Sequence, residues 1–68
     1  MKVVRTGIIK GSEFIGAIGE LDNGKWMASL AAVATAAGGF NHHYTKVCDD
    51  EDKAVKAIND TWSELEKI

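Results

Sequence analysis

Along the chain, apolar positions change period twice, and those changes predict the elements. The last twenty residues carry the clearest pattern. Val55, Ile58, Trp62 and Leu65 recur at spacings of three and four, flanked by Ala54, Ala57 and Ile68. That is the stripe of an amphipathic helix, placed at about 51–67. Asp49, Asp50, Glu51 and Asp52 precede it. Acids there cap free backbone N–H groups and favour the positive end of the helix dipole.

The front half reads as strands. Val3-Val4 and Ile8-Ile9 are β-branched pairs, and Gly11-Ser12 supplies a turn. Phe14 to Gly19 is a nearly unbroken apolar run, which suits a strand packed on both faces. Asn23-Gly24 lies between apolar runs and predicts a hairpin, because both residues tolerate positive φ. Phe40 to Cys48 alternates. Phe40, His42, Tyr44, Lys46 and Cys48 fall on one face, with Asn41, His43, Thr45 and Val47 on the other.

Residues 25–37 admit two readings. As a strand, the segment is the return arm of the Asn-Gly hairpin, with a loop around Ala36 to Gly39. As a helix, Asn23 is the cap, Trp26, Leu30, Val33 and Ala37 form a stripe, and Gly38-Gly39 ends it. Alanine-rich composition favours the helix; the turn chemistry and the Trp-led start favour the strand. The expected fold class is α+β: one domain over 1–68, a three- or four-stranded antiparallel meander packed on one C-terminal helix, with an extra Ala-rich helix at 25–37 as the alternative.

Size sharpens this picture. With 68 residues, a domain buries only about 60% of its unfolded surface, so its own core gives marginal stability. Cys48 is the only cysteine, which excludes an intrachain disulfide and suits a reducing compartment. That leaves a well-packed monomer or a homo-oligomer. The opening residues form no secretory leader, and no apolar run reaches the roughly 20 residues of a membrane span. The expected location is cytoplasmic, with no membrane partner.

Eight basic residues face ten acidic ones, for a formal charge of −2. A dedicated nucleic-acid binder is usually clearly basic. The distribution is uneven, however. Residues 1–10 hold Lys2, Arg5 and Lys10 and no acid, whereas residues 49–68 set seven acids against three lysines, for −4.

Candidate chemistry is sparse. Gly19 to Lys25 fits the first seven positions of a phosphate-binding loop, but Trp26 stands where a Mg²⁺-holding Ser or Thr is needed. A hairpin turn explains the same glycines. His42, His43, Cys48, Asp49 and Asp50 form a cluster of metal-capable groups. Neighbouring histidines on a strand point to opposite faces, and His42 to Cys48 spans roughly 20 Å. No ion or thiolate–imidazole pair closes over that distance. Asp49 to Asp52 lacks the alternating ligands of a calcium loop. No metal, cofactor or catalytic group is expected, and Trp26 and Trp62 read as core. Asn41-His42-His43-Tyr44 is the candidate contact surface, beside the acidic Asp49, Asp50, Glu51 and Asp52.

One pattern goes beyond composition. Gly24-Lys25-Trp26-Met27-Ala28 on a hairpin return strand, a later strand, then Asp52 to Ile58 opening a helix, resembles the AP2-like arm-binding domain of phage integrases. That family has a G-x-W-x-A strand and an E/D-x-A-x-x-A helix on a three-stranded sheet, and the resemblance covers roughly residues 13–62. It implies a sheet that meets DNA, here using Lys2, Arg5, Lys10, Lys25 and Lys46. The chain departs from the pattern where the family carries Arg and Lys: Ala28 to Thr35 has neither. Small phage-encoded inhibitors, anti-CRISPR proteins among them, are similar in size and charge. The expected function is therefore a non-enzymatic protein-binding module of the phage or mobile-element kind, an inhibitor or adaptor working by occlusion. Nucleic-acid binding of the AP2-like type is the alternative.

Overall fold

In the computed structural model of the chain, backbone is described for residues 1–34 and 39–67, and side-chain environments for residues 1–33 and 43–67. Four strands run in chain order: β1 (Lys2–Ile9), β2 (Ser12–Glu20), β3 (Trp26–Ala34) and β4 (Gly39–Cys48). One helix, α1 (Glu51–Lys67), follows. Each strand pairs antiparallel with its chain neighbour, giving a meander of order β1-β2-β3-β4. The α+β sheet-plus-helix expectation holds.

Residues 26–34 are strand, which decides between the two readings of that segment; of the expected loop around Ala36 to Gly39, residues 36–38 lie outside the described residues and Gly39 opens β4. Alanine's helix preference loses here because β3 is central. It bonds to β2 from Phe14↔Ala32 to Glu20↔Trp26 and to β4 from Trp26↔Cys48 to Ala34↔Gly39. Two ladders outweigh a propensity difference of a few tenths of a kcal/mol per residue.

The turns exchange the roles expected of them. Ile9 and Ser12 pair across Lys10 and Gly11, whose φ values are 50° and 86°. Two central residues with positive φ match the right-handed strand twist. At the Asn-Gly turn only Gly24 takes positive φ, 82°. There the Gly24 N–H donates to the Leu21 carbonyl (3.0 Å) and the Asn23 Oδ1 accepts from the Lys25 N–H (3.1 Å). The longer loop lets the Asn23 side chain close its own turn.

α1 lies on one face of the sheet. Its buried residues Ala54, Ala57, Ile58 and Trp62 meet Ile9, Phe14, Ile18, Ala28, Leu30 and Cys48. Ile18, Leu30 and Ile58 are the largest fully buried side chains, each contributing about 1.5–3 kcal/mol by burial. The helix begins at Asp50, whose carboxylate accepts from the Lys53 N–H (2.8 Å) while its carbonyl accepts from the Ala54 N–H (3.2 Å).

Two register shifts tune the sheet. One falls between Val3 and Arg5, so Val4 is the extra residue and joins Arg5 on the helix side. The other falls at Leu30/Ala31, where Leu30 faces Tyr44 and Ala31 faces His42, leaving His43 as the extra residue. Such bulges re-aim a side chain. His43 thus leaves the face that strict alternation assigns to it and sets its ring edge-on to Phe14, 5.4 Å between centroids.

Candidate interaction surface

The alternation that buries Phe14, Gly16 and Ile18 under α1 turns Ile15, Ala17 and Gly19 to the other side. The register carries this across the sheet. Val3 faces Ala17 and Thr6 faces Ile15 on β1, while Met27, Ser29 and Ala31 on β3 stand beside Gly19, Ala17 and Ile15. Val47 and Thr45 on β4 stand beside Met27 and Ser29. No described element covers this face.

Among the described residues four large hydrophobic side chains are more than half exposed, and all four belong here. Val3 is 57% exposed, Ile8 65% and Val47 53%. Met1, at 72%, reaches over Gly19, where an added Cβ would meet its Cγ at 3.2 Å. Single exposed hydrophobics are ordinary on a protein; their concentration on one face marks a contact site. Among the described residues the only charged side chain on this face is Glu13, exposed at the end next to the β1–β2 turn.

The structure distributes the expected contact residues over several places. Tyr44 is half-buried against the core on the helix side, and His43 stacks on Phe14. Asn41 and His42 lie in β4 opposite Ala32 and Ala31, and their side chains are outside the described residues. The acidic run is divided by task. Asp49 binds the Lys25 ammonium at 2.9 Å and Lys53 at 3.7 Å; Asp50 caps α1; Glu51 lies 3.7 Å from Lys2; Asp52 is exposed. The Lys25 ammonium beside it holds the Asp49 carboxyl below its ordinary 3.8, and the same hydrogen bond raises Lys25 above 10.5. Lys56 pairs with Asp60 at 2.6 Å.

The five basic groups expected to meet DNA are dispersed. Arg5 lies over the Trp62 ring, 4.5 Å from its centroid, and donates to the Asn59 Oδ1 at 2.9 Å. Lys2 and Lys25 sit in the ion pairs just described, Lys10 in the first turn, and Lys46 on the helix side opposite Ala28. None points from the open face.

Two grooves flank the helix. One of about 290 Å³ runs beside β4, lined by Lys46, Cys48, Asp49, Lys53, Lys56 and Asp60. The other, about 260 Å³, lies at the far end between Ile9, Phe14 and Leu65. Among the described residues no three His, Cys, Asp or Glu side chains converge as metal ligands would. No described helix is long and apolar enough to cross a membrane.

Comparison with known proteins leaves the site to be judged on this geometry. No protein-family model, curated protein or solved structure matches the chain.

What pointed to the open face in the sequence was the unbroken apolar run of β2, which asks for packing on two sides. The alternation in β4 drew attention to the histidines instead. Neither pattern says which side the helix takes, so the exposed face had no residue list of its own.

Proposed function

We propose that the chain is a non-catalytic protein-binding module that acts by occlusion, laying its open sheet face over a partner, in the manner of a phage or mobile-element inhibitor or adaptor. The observation carrying this reading is the gathering of Val3, Ile8 and Val47, each more than half exposed, on one uncovered and nearly uncharged face. Such a face loses little on leaving water, because it has few polar groups to strip, and the hydrophobic gain is roughly proportional to the area covered. Nucleic-acid binding draws less support. A sheet that meets a duplex presents cations to phosphates, whereas Arg5 and Lys25 are occupied on the helix side.

The test is the solution mass of labelled chain, alone and in host lysate, for the natural sequence and for Ala31→Glu. Ala31 lies near the centre of the open face, so its variant carries a charge into any complex formed there. Association, with itself or another protein, that Ala31→Glu abolishes is the expected result. A chain that stays at 7.3 kDa in both settings, or gains mass only with duplex DNA, refutes the reading.

A further inference from the structure

The open face poses a question that the fold itself does not answer: what covers it. β2 and β3 are written for burial on both sides. Phe14-Ile15-Gly16-Ala17-Ile18 and Trp26-Met27-Ala28-Ser29-Leu30-Ala31-Ala32-Val33 have no charged residue at either alternation. A sheet with one wet face alternates apolar with polar; a near-continuous apolar run belongs to a strand sandwiched between two layers. Here α1 is one layer, and the second is missing from the described chain.

We infer that the second layer is another copy of this chain, packed open face to open face as an isologous two-fold dimer. The inference rests on the protein-binding reading above and names its partner. Area is the first argument. Four strands at about 4.8 Å spacing and some eight residues at about 3.3 Å give a face of roughly 500 Å² in projection. Two such faces bury about 1,000 Å² before side-chain relief is counted. That meets the roughly 1,000 Å² a specific interface should clear, at the small end of the range, and exceeds the under 800 Å² of most fortuitous contacts.

Charge is the second argument. A two-fold interface sets one patch against itself, so any strong charge on it meets its own like. An acidic or basic patch would serve a partner of opposite sign and disfavour self-pairing. The only charged side chain among this face's described residues is Glu13, which sits at one end, exposed, while the Met1 α-ammonium, of opposite sign, lies by Gly19 at the other. The charged layer, α1 with its acids and lysines, faces outward on each copy. The assembly is helix, sheet, sheet, helix, with the two sheets about 10 Å apart as in aligned sandwiches. Ala17, Ser29 and Ala31 keep the middle of each face low, which permits that spacing.

The experiment is sedimentation equilibrium of the pure chain over a wide concentration range, with Ala31→Glu and a helix-face control, Lys53→Glu. Far-ultraviolet circular dichroism of each variant confirms folding, and Val47→Asp at the β4 edge of the same face stands in should Ala31→Glu not fold. The natural chain and Lys53→Glu are expected at twice 7.3 kDa. Ala31→Glu is expected to weaken the dimer by at least about 100-fold, since like charges brought together out of water cost several kcal/mol. Three results overturn the inference. A dimer insensitive to both open-face variants uses another surface, and the protein-binding reading of this face falls with it. A chain that is monomeric alone but gains an Ala31→Glu-sensitive partner in lysate refutes only the self-association. A chain monomeric in both refutes both.

Discussion

Gly16 lies directly beneath Ile58 of α1, and it offers a sharp test of the packing. A Cβ built there would stand 2.5 Å from the Ile58 Cγ2 and 3.6 Å from the Leu30 Cδ1. Ordinary carbon contacts begin near 3.4 Å, so Gly16→Ala requires about 1 Å of movement. The group that must move is a methyl on the branch of Ile58, fixed close to the helix backbone with its residue fully buried. Overpacking of this kind costs about 1–3 kcal/mol. Loss of glycine's freedom in the unfolded chain returns about 0.4–1 kcal/mol. The net expectation is a loss of up to about 2.5 kcal/mol, centred near about 1.3 kcal/mol, or a fall in Tm of about 5–10 °C at that centre for a domain of this size. Ile58→Leu keeps the volume but moves the offending methyl away from Cβ, and alone costs less than about 1.5 kcal/mol. In that background Gly16→Ala should be neutral or stabilising. Urea denaturation of the four proteins measures the coupling directly. If Gly16→Ala costs the same in the natural and the Ile58→Leu backgrounds, or stabilises the natural chain, the close approach of α1 to β2 is wrong.

Two further expectations concern the helix start. Asp50→Ala removes the carboxylate that accepts from the Lys53 N–H at 2.8 Å and should cost about 1 kcal/mol in urea denaturation, against a few tenths for Asp50→Gly. The Asp49–Lys25 pair should give a pH signature. Asp49 is held below 3.8 in the fold, so its contribution is complete above that value and fades as pH falls through the folded value. Lys25 is raised above 10.5, so its contribution is complete below that value and fades as pH rises through the folded one. Denaturation midpoints of the natural chain and Asp49→Asn should therefore differ near neutrality and converge as pH falls through and below the lowered Asp49 value; a constant offset across the acid range would refute the pairing.

The helix was legible because its signals agree. The Ala54, Ile58, Trp62 stripe and the Asp50 cap each fix the same element, and α1 spans Glu51–Lys67. The strand at Trp26–Ala34 was only half legible, because alanine speaks for helix and only pairing on both sides, a tertiary effect, speaks for strand. The bulge at His43 left no local mark. It comes from the way β4 meets Leu30 and Ala31, and it moved one of the named contact residues against Phe14. Likewise the positive φ at Lys10 was hidden, since Lys is an ordinary residue in an unusual conformation, stabilised by strand twist rather than by its own preference. The open face was written plainly in the Phe14–Gly19 run, but as a demand for a second layer rather than as a site.

Geometry explains why one helix cannot meet that demand by itself. A helix with its side chains is about 10–12 Å across, while four strands span about 19 Å. α1 sits low over the middle of the sheet because Gly16 and Ala28 leave room there. The outer strands are reached only by long side chains. Trp62 extends to Gly7 on β1, where an added Cβ would lie 3.0 Å from its ring, and Arg5 closes over that ring. On the β4 side Tyr44 leans in, and the gap that remains is the groove beside Cys48 and Lys53. Both grooves are thus the shoulders left by a narrow layer on a wide one, lined partly by the lysines and acids of the helix's wet flanks. Widening the helix layer would need chain that forms no such element among the described residues. The remaining apolar area of a domain this small lies on the opposite face, which no described element covers.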